Sequence, residues 1–217
     1  MTARQIARIY DTLAPVYGLW AELTETRARQ RALELADVQA GEIVLEVAVG
    51  TGKLFSSLVR GAAAGKCVGV DLSSGMLRRA QHRLAAEVGG SCNLCRADAV
   101  RLPFPDARFD VLFNCYMLDL LPEEEIVRAL REFRRVLKPS GRLVLVIMAT
   151  QSRLLNAAWM ALYRRAPVLL GGCRPVEVAP MLAEAGCSVH RQERITECRF
   201  RSTVILARPG GSARGSA

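Results

Sequence analysis

Three carboxylates stand where they could do chemistry: Glu46 in Leu45-Glu46-Val47-Ala48-Val49-Gly50-Thr51-Gly52, Asp71 in Val70-Asp71-Leu72, and Asp98 in Arg96-Ala97-Asp98-Ala99. A dinucleotide fingerprint G-x-G-x-x-G would need glycine at 48, 50 and 53, where the chain has Ala, Gly and Lys. That argues against a nicotinamide cofactor, because a pyrophosphate needs close backbone approach at each glycine. An acid four residues before a G-x-G turn repels a diphosphate and suits a ligand carrying positive charge. Asp71, nineteen residues past Gly52, is placed to accept hydrogen bonds from both hydroxyls of a ribose. One acid near a strand end is often only a helix cap. Three at successive strand tips, the first before a glycine turn, describe a slot for a cationic, adenine- and ribose-bearing ligand without phosphates.

The elements that must hold these acids follow from periodicity. Ile43-Val44-Leu45 with Val47 reads as a buried parallel strand, residues 53–63 as a helix, and Cys67-Val68-Gly69-Val70 as a second strand. Ser73 or Ser74 can cap the next helix, on which Met76, Leu77, Ala80 and Leu84 recur at helical spacing. A third strand covers about 92–97, and Phe109–Phe113 is a fourth. Pro122 opens a helix whose first turn, Glu123 to Glu125, has the sign the dipole favours, and Ile126, Leu130, Phe133 and Leu137 form its apolar face. Lys138-Pro139-Ser140-Gly141 ends that helix, and Leu143 to Ile147 is a fifth strand. Alternating strands and helices predict a parallel sheet covered on both faces, with ligands beyond the carboxyl ends of the strands.

The motifs around these acids resemble those of class I S-adenosylmethionine (SAM)-dependent methyltransferases, in the branch related to ubiquinone/menaquinone-biosynthesis C-methyltransferases. To the segments already quoted are added Val70–Leu77, Leu102-Pro103-Phe104, Phe109-Asp110-Val111 and Val136–Gly141, and the likeness spans about residues 5 to 207. Tyr10-Asp11 with Ala14 and Tyr17 looks like the branch's N-terminal Y-D-x-x-A-x-x-Y-D segment, with Gly18 in place of the final Asp. The resemblance implies a seven-stranded Rossmann-like α/β sheet of order 3-2-1-4-5-7-6, its last strand antiparallel, with helices on both faces. It implies SAM as cofactor. Glu46 and the Gly50-Thr51-Gly52 turn would hold the methionine end, and Asp71 the ribose. Leu72 and Met76 would line the adenine slot, while Asp98 and the Ala99 backbone would take the adenine amino group. Asn114 and Cys115 would lie beneath the sulfonium, and Tyr17 would close over it. Ala48 stands where many relatives have glycine, which reads as a tolerated variant of the turn.

Methyl transfer is an in-line displacement that an enzyme can promote largely by positioning, and a base is needed only if the acceptor loses a proton. Asp119, Tyr116, Tyr17 and His190 are the candidates; Asp119 could equally cap the helix after Pro122. His190 falls in an expected strand and reads as structural, and His82 as solvated. Residues 152–172 carry an apolar stripe of Leu155, Trp159, Leu162 and Ala166, followed by Arg164-Arg165 among its neighbours. They read either as a core helix or as a lid over an apolar acceptor. Such a surface with flanking arginines also suits peripheral contact with an anionic membrane.

The chain has 217 residues, 51% hydrophobic and 24% charged, enough for one good-sized α/β domain. The expected organisation is a single domain over 1–208, with an N-terminal helical cover (1–40), a lid-like insert (152–175) and a flexible tail (209–217). A net charge of +9 raises nucleic acid as a partner. However, Asn114-Cys115-Tyr116-Met117 is not the D/N-P-P-aromatic tip of base methyltransferases, and no RNA-binding module is appended. Cys92-Asn93-Leu94-Cys95 is half a zinc site with nothing to complete it, so no metal is expected. Seven cysteines without a leading export signal suggest reduced thiols in the cytoplasm. The leading expectation is methylation of a small hydrophobic acceptor: a quinone precursor, lipid or secondary metabolite. A phospholipid N-methyltransferase and an inactive SAM-binding scaffold are the alternatives.

Overall fold

The computed structural model describes residues 25–61, 66–87, 93–149, 161, 173–198 and 200–210. Five helices, α1 (25–36), α2 (Lys53–Arg60), α3 (Ser74–Glu87), α4 (Glu123–Val136) and α5 (Val178–Glu184), are described around one sheet. Its strands are β1 (Ile43–Val47), β2 (Lys66–Asp71), β3 (Asn93–Arg96), β4 (Phe109–Cys115), β5 (Leu137–Met148), β6 (Cys187–Glu197) and β7 (Phe200–Pro209). They lie in the order β3-β2-β1-β4-β5-β7-β6. The first five pair in parallel, and β7 runs antiparallel to both β5 and β6. The expected fold and strand order are those observed.

Alternation along the central strands explains the double cover. Leu45, Leu112, Leu143, Leu145 and Ile147 face one layer with α4 and α5. Val44, Val111, Phe113, Val144 and Val146 face the other, under Ala28, Ala32, Leu35 and Ala36 of α1. Each strand is therefore apolar on both sides, as a parallel sheet between helices requires. The α4 residues Ile126, Ala129, Leu130, Phe133 and Val136 are fully buried at helical spacing. Truncating Phe133 to Ala would cost about 3–5 kcal/mol.

Two boundaries differ from the sequence reading. The strand after α4 starts at Leu137, so the Lys138–Gly141 segment belongs to β5. The ladder steps from Phe109↔Leu137 to Val111↔Arg142, which makes residues 138–141 a bulge on the β5 side. Lys138 Nζ meets Asp110 Oδ1 there at 2.7 Å. A Cβ on Gly141 would lie 2.9 Å from the Lys138 carbonyl oxygen, so the bulge closes only on glycine. Helix α5 likewise starts at Val178, later than the Arg174-Pro175-Val176 restart suggests.

Candidate functional site

The sheet order reverses between β1 and β4, and a cavity opens beyond the carboxyl ends of β1, β2, β3 and β4 at that reversal. Glu46, Asp71 and Asp98 all line it, with Ala48, Gly50, Thr51, Leu72, Met76, Ala99, Cys115 and Tyr116. Thus acids separated by up to 52 residues in the chain share one space. Arg29, Lys53, Ser73, Met117, Leu120 and Leu121 also line it, a role the sequence motifs do not assign them. Gly52, Asn114 and Asp119 are not among the lining residues, and Tyr17 lies outside the described residues.

The glycine turn is fixed by the tip of the neighbouring strand. Asp71 Oδ2 accepts the Gly50 N–H at 2.9 Å, and Oδ1 accepts the Ser73 N–H at 2.8 Å. Val49 N–H donates to the Val70 carbonyl at 3.0 Å. Each carboxylate oxygen has two lone pairs, so Asp71 can organise the turn and still accept hydroxyl protons from the cavity. Ser73, rather than Ser74, caps α3: its hydroxyl oxygen accepts the Met76 N–H at 3.0 Å. Gly52 holds φ +79° at the start of α2, with Ala80 close behind it. Ala48 takes φ +62°, a left-handed conformation that costs an L residue roughly 1–2 kcal/mol.

Glu46 is 2% exposed, and its Oε2 has no hydrogen-bond partner among the described residues. Burial pushes its carboxyl well above the ordinary range, nearby Arg29 opposes that rise, and Asp71 adds to it. A buried acceptor on the wall of a cavity is suited to a cationic group entering from it. Asp98 folds onto its own loop, with Oδ1 accepting the Val100 N–H at 3.1 Å. That loop is braced from α4: Arg135 donates to the Leu102 and Phe104 carbonyls, and Glu132 accepts the Leu102 N–H at 2.9 Å.

The three catalytic candidates are placed differently. Tyr116 lines the cavity at φ +53°, and its hydroxyl is 2.7 Å from Ser202 Oγ on β7. Burial holds its phenol well above the ordinary range, with Glu25 reinforcing this and Ser202 and Arg29 opposing it. Asp119 is fully buried on a 3-10 turn, Leu118–Leu120, where Oδ2 accepts the Met148 N–H at 2.6 Å. Its backbone carbonyl accepts the Arg174 N–H at 3.2 Å. Asn114 is a brace as well: its side-chain amide donates to the Val47 carbonyl at 2.9 Å and ties β4 to β1 under the turn. Burial raises the Cys115 thiol far above its usual value, so it faces the cavity as an uncharged, polarizable wall. Residues 152–160 and 162–172, the expected lid or core helix, lie outside the described residues, as does Cys92.

The strand order, with an acid-lined cavity at the topological switch, is that of the class I SAM-dependent methyltransferase fold. Residues 44–141 match the family model described as a methyltransferase domain. It is 36% identical over 152 residues to the ubiquinone/menaquinone biosynthesis C-methyltransferase of Pseudomonas fluorescens (strain Pf0-1), covering 66% of this chain and 58% of that protein. The chain spans less than two thirds of the length of the curated relatives it matches. Among solved structures, a [4+2]-cyclase, SpnF, superimposes with a TM-score of 0.76 at 20% identity over 96% of both chains. The magnesium protoporphyrin IX methyltransferase of Synechocystis PCC 6803, solved with bound S-adenosylhomocysteine (SAH), gives 0.63 at 18% identity over 84% of each. At such identities the likeness is one of fold.

Proposed function

We propose that the chain transfers the methyl group of SAM to a carbon of a small, largely apolar acceptor of the quinone-precursor type. The observation that carries the cofactor reading is Glu46, a buried acid with an unpartnered oxygen, sharing a cavity with Asp71 and Asp98. Bound there, SAM supplies an electrophilic methyl on a sulfonium. Glu46 accepts from the ammonium of the amino-acid end, Asp71 from the ribose hydroxyls and Asp98 from the adenine amino group. Leu72 and Met76 flank the base, and Cys115 and Tyr116 floor the methyl end.

The acceptor reading rests on the relatives' quinone-biosynthesis C-methylation together with the Met117, Leu120 and Leu121 side of the cavity. An apolar wall favours a hydrophobic acceptor, and the protein's work is to hold its nucleophilic carbon about 3–3.5 Å from the methyl. Tyr116, with its hydroxyl engaged by Ser202 and its phenol hard to ionise, serves as a positioning wall.

Isothermal calorimetry with SAH tests the first step. Tight binding by the wild type and a loss of about 10- to 100-fold in Asp71→Ala are expected, since a charged hydrogen-bond acceptor is removed. No binding by the wild type would sink the cofactor reading. Incubation with SAM and prenylated hydroquinones, followed by mass spectrometry, tests the second. A methyl on a ring carbon supports C-methylation, whereas turnover only with amino-headgroup phospholipids would replace this acceptor class with an amine.

A further inference from the structure

The methionine end of the cavity carries a cation that comes from outside the sheet. Arg29 lines the cavity together with Glu46, yet it belongs to α1, a helix otherwise packed against the back of the strands. Its guanidinium pairs with Glu25, one turn earlier and only 1% exposed, and lies 5.9 Å from the centre of the Tyr116 ring. These two contacts fix Arg29 beside Glu46 without spending the open Oε2 of that residue. A planar cationic fork and a carboxylate with an open oxygen, on one cavity, are complementary to a zwitterion. The fork donates to the ligand's carboxylate, and Glu46 accepts from its ammonium.

We propose that Arg29 is a cofactor-binding residue that receives the α-carboxylate of the amino-acid end, opposite Glu46. The inference rests on the SAM reading of the cavity and adds to it a residue outside the strand-tip motifs. The helix that carries Arg29 is moored to the sheet. Arg31 grips Glu193 of β6 through Nε and a terminal nitrogen at 2.7 and 2.9 Å, and Arg142 Nε donates to the Ala36 carbonyl at 2.7 Å. Ala32, Leu35 and Ala36 are buried against the sheet. The turn carrying Glu25 and Arg29 is held as well, with Ala28 buried and the Arg27 N–H donating to Glu197 Oε2 at 2.8 Å, so Arg29 is presented to the cavity from a fixed element.

The test compares two ligands with the full-length chain. SAH has the amino-acid end, whereas 5′-methylthioadenosine keeps the adenine, ribose and thioether but lacks it. By calorimetry, Arg29→Ala should weaken SAH by about 10- to 100-fold and change methylthioadenosine by less than about twofold. Arg29→Lys should recover part of the loss, since it keeps the charge and not the fork. Equal weakening of both ligands would make Arg29 a fold brace and overturn the proposal, as would unchanged SAH affinity. A wild type that binds neither ligand would instead remove the SAM reading and the proposal with it.

Discussion

Asp119→Asn isolates the energetics of the buried acid behind the cavity wall. The Asp119 carboxyl is fully buried; Oδ2 accepts the Met148 N–H, and Oδ1 has no partner among the described residues. Burial pushes its pKa from 3.8 to about 7, with Glu25 pushing the same way, while the Met148 amide, its own amide and Arg174 favour the ionised form. Between about pH 4 and pH 7 the unfolded chain has released this proton and the folded chain keeps it. The unfolded state binds fewer protons, so this group's contribution to stability is present at low pH and is lost as pH rises through that window. At about 1.4 kcal/mol per pH unit, the full loss is on the order of 4 kcal/mol. Asparagine keeps an oxygen for the Met148 N–H and never ionises. Urea unfolding followed by circular dichroism should show the variant gaining on the wild type by about 3 kcal/mol between about pH 5 and pH 8, then levelling off. Taking the difference cancels the other titrating groups. A gap that does not change with pH would refute the buried, proton-holding state of Asp119.

Two further substitutions probe the turn that carries the ligand. Gly52→Ala puts a methyl 3.0 Å from both Cα and Cβ of Ala80 at φ +79°, and should cost about 1–3 kcal/mol in urea unfolding. An unchanged midpoint would contradict the close approach of α2 and α3. Ala48→Gly should do the opposite, since it relieves a left-handed alanine at φ +62°. A gain of about 0.5–1 kcal/mol is expected after the added freedom of the unfolded glycine is subtracted, and a net loss would show the alanine to be unstrained.

The fold was legible because its signals are local and repeated. Apolar runs such as Ile43–Leu45 and Leu143–Ile147 carry no polar face, which only a sheet covered on both sides accommodates. The start of β5 was not legible. Lys138-Pro139-Ser140-Gly141 has the composition of a loop, and only its pairing across from Phe109–Val111 makes it a bulge within the strand. The same holds for the site. Glu46, Asp71 and Asp98 announce themselves by ending strands, whereas Arg29 is one arginine among many on an amphipathic helix. Asn114 and Asp119 lie close in sequence to the strand tip that suggested them, but they are turned into the structure as braces for Val47 and Met148.

The amino-acid sequence by itself determined the class of sheet, the glycine turn and the three acids, because strand ends and turns are specified by residues next to one another. Tertiary structure decided which of those residues face a common space and which support it. That choice depends on the strand order β3-β2-β1-β4-β5-β7-β6, on which face of each strand tip is turned outward, and on where α1 crosses the sheet. None of these is a local property. Arg29 reaches the cavity because α1 is anchored to the core and to β6, a contact 162 residues away along the chain.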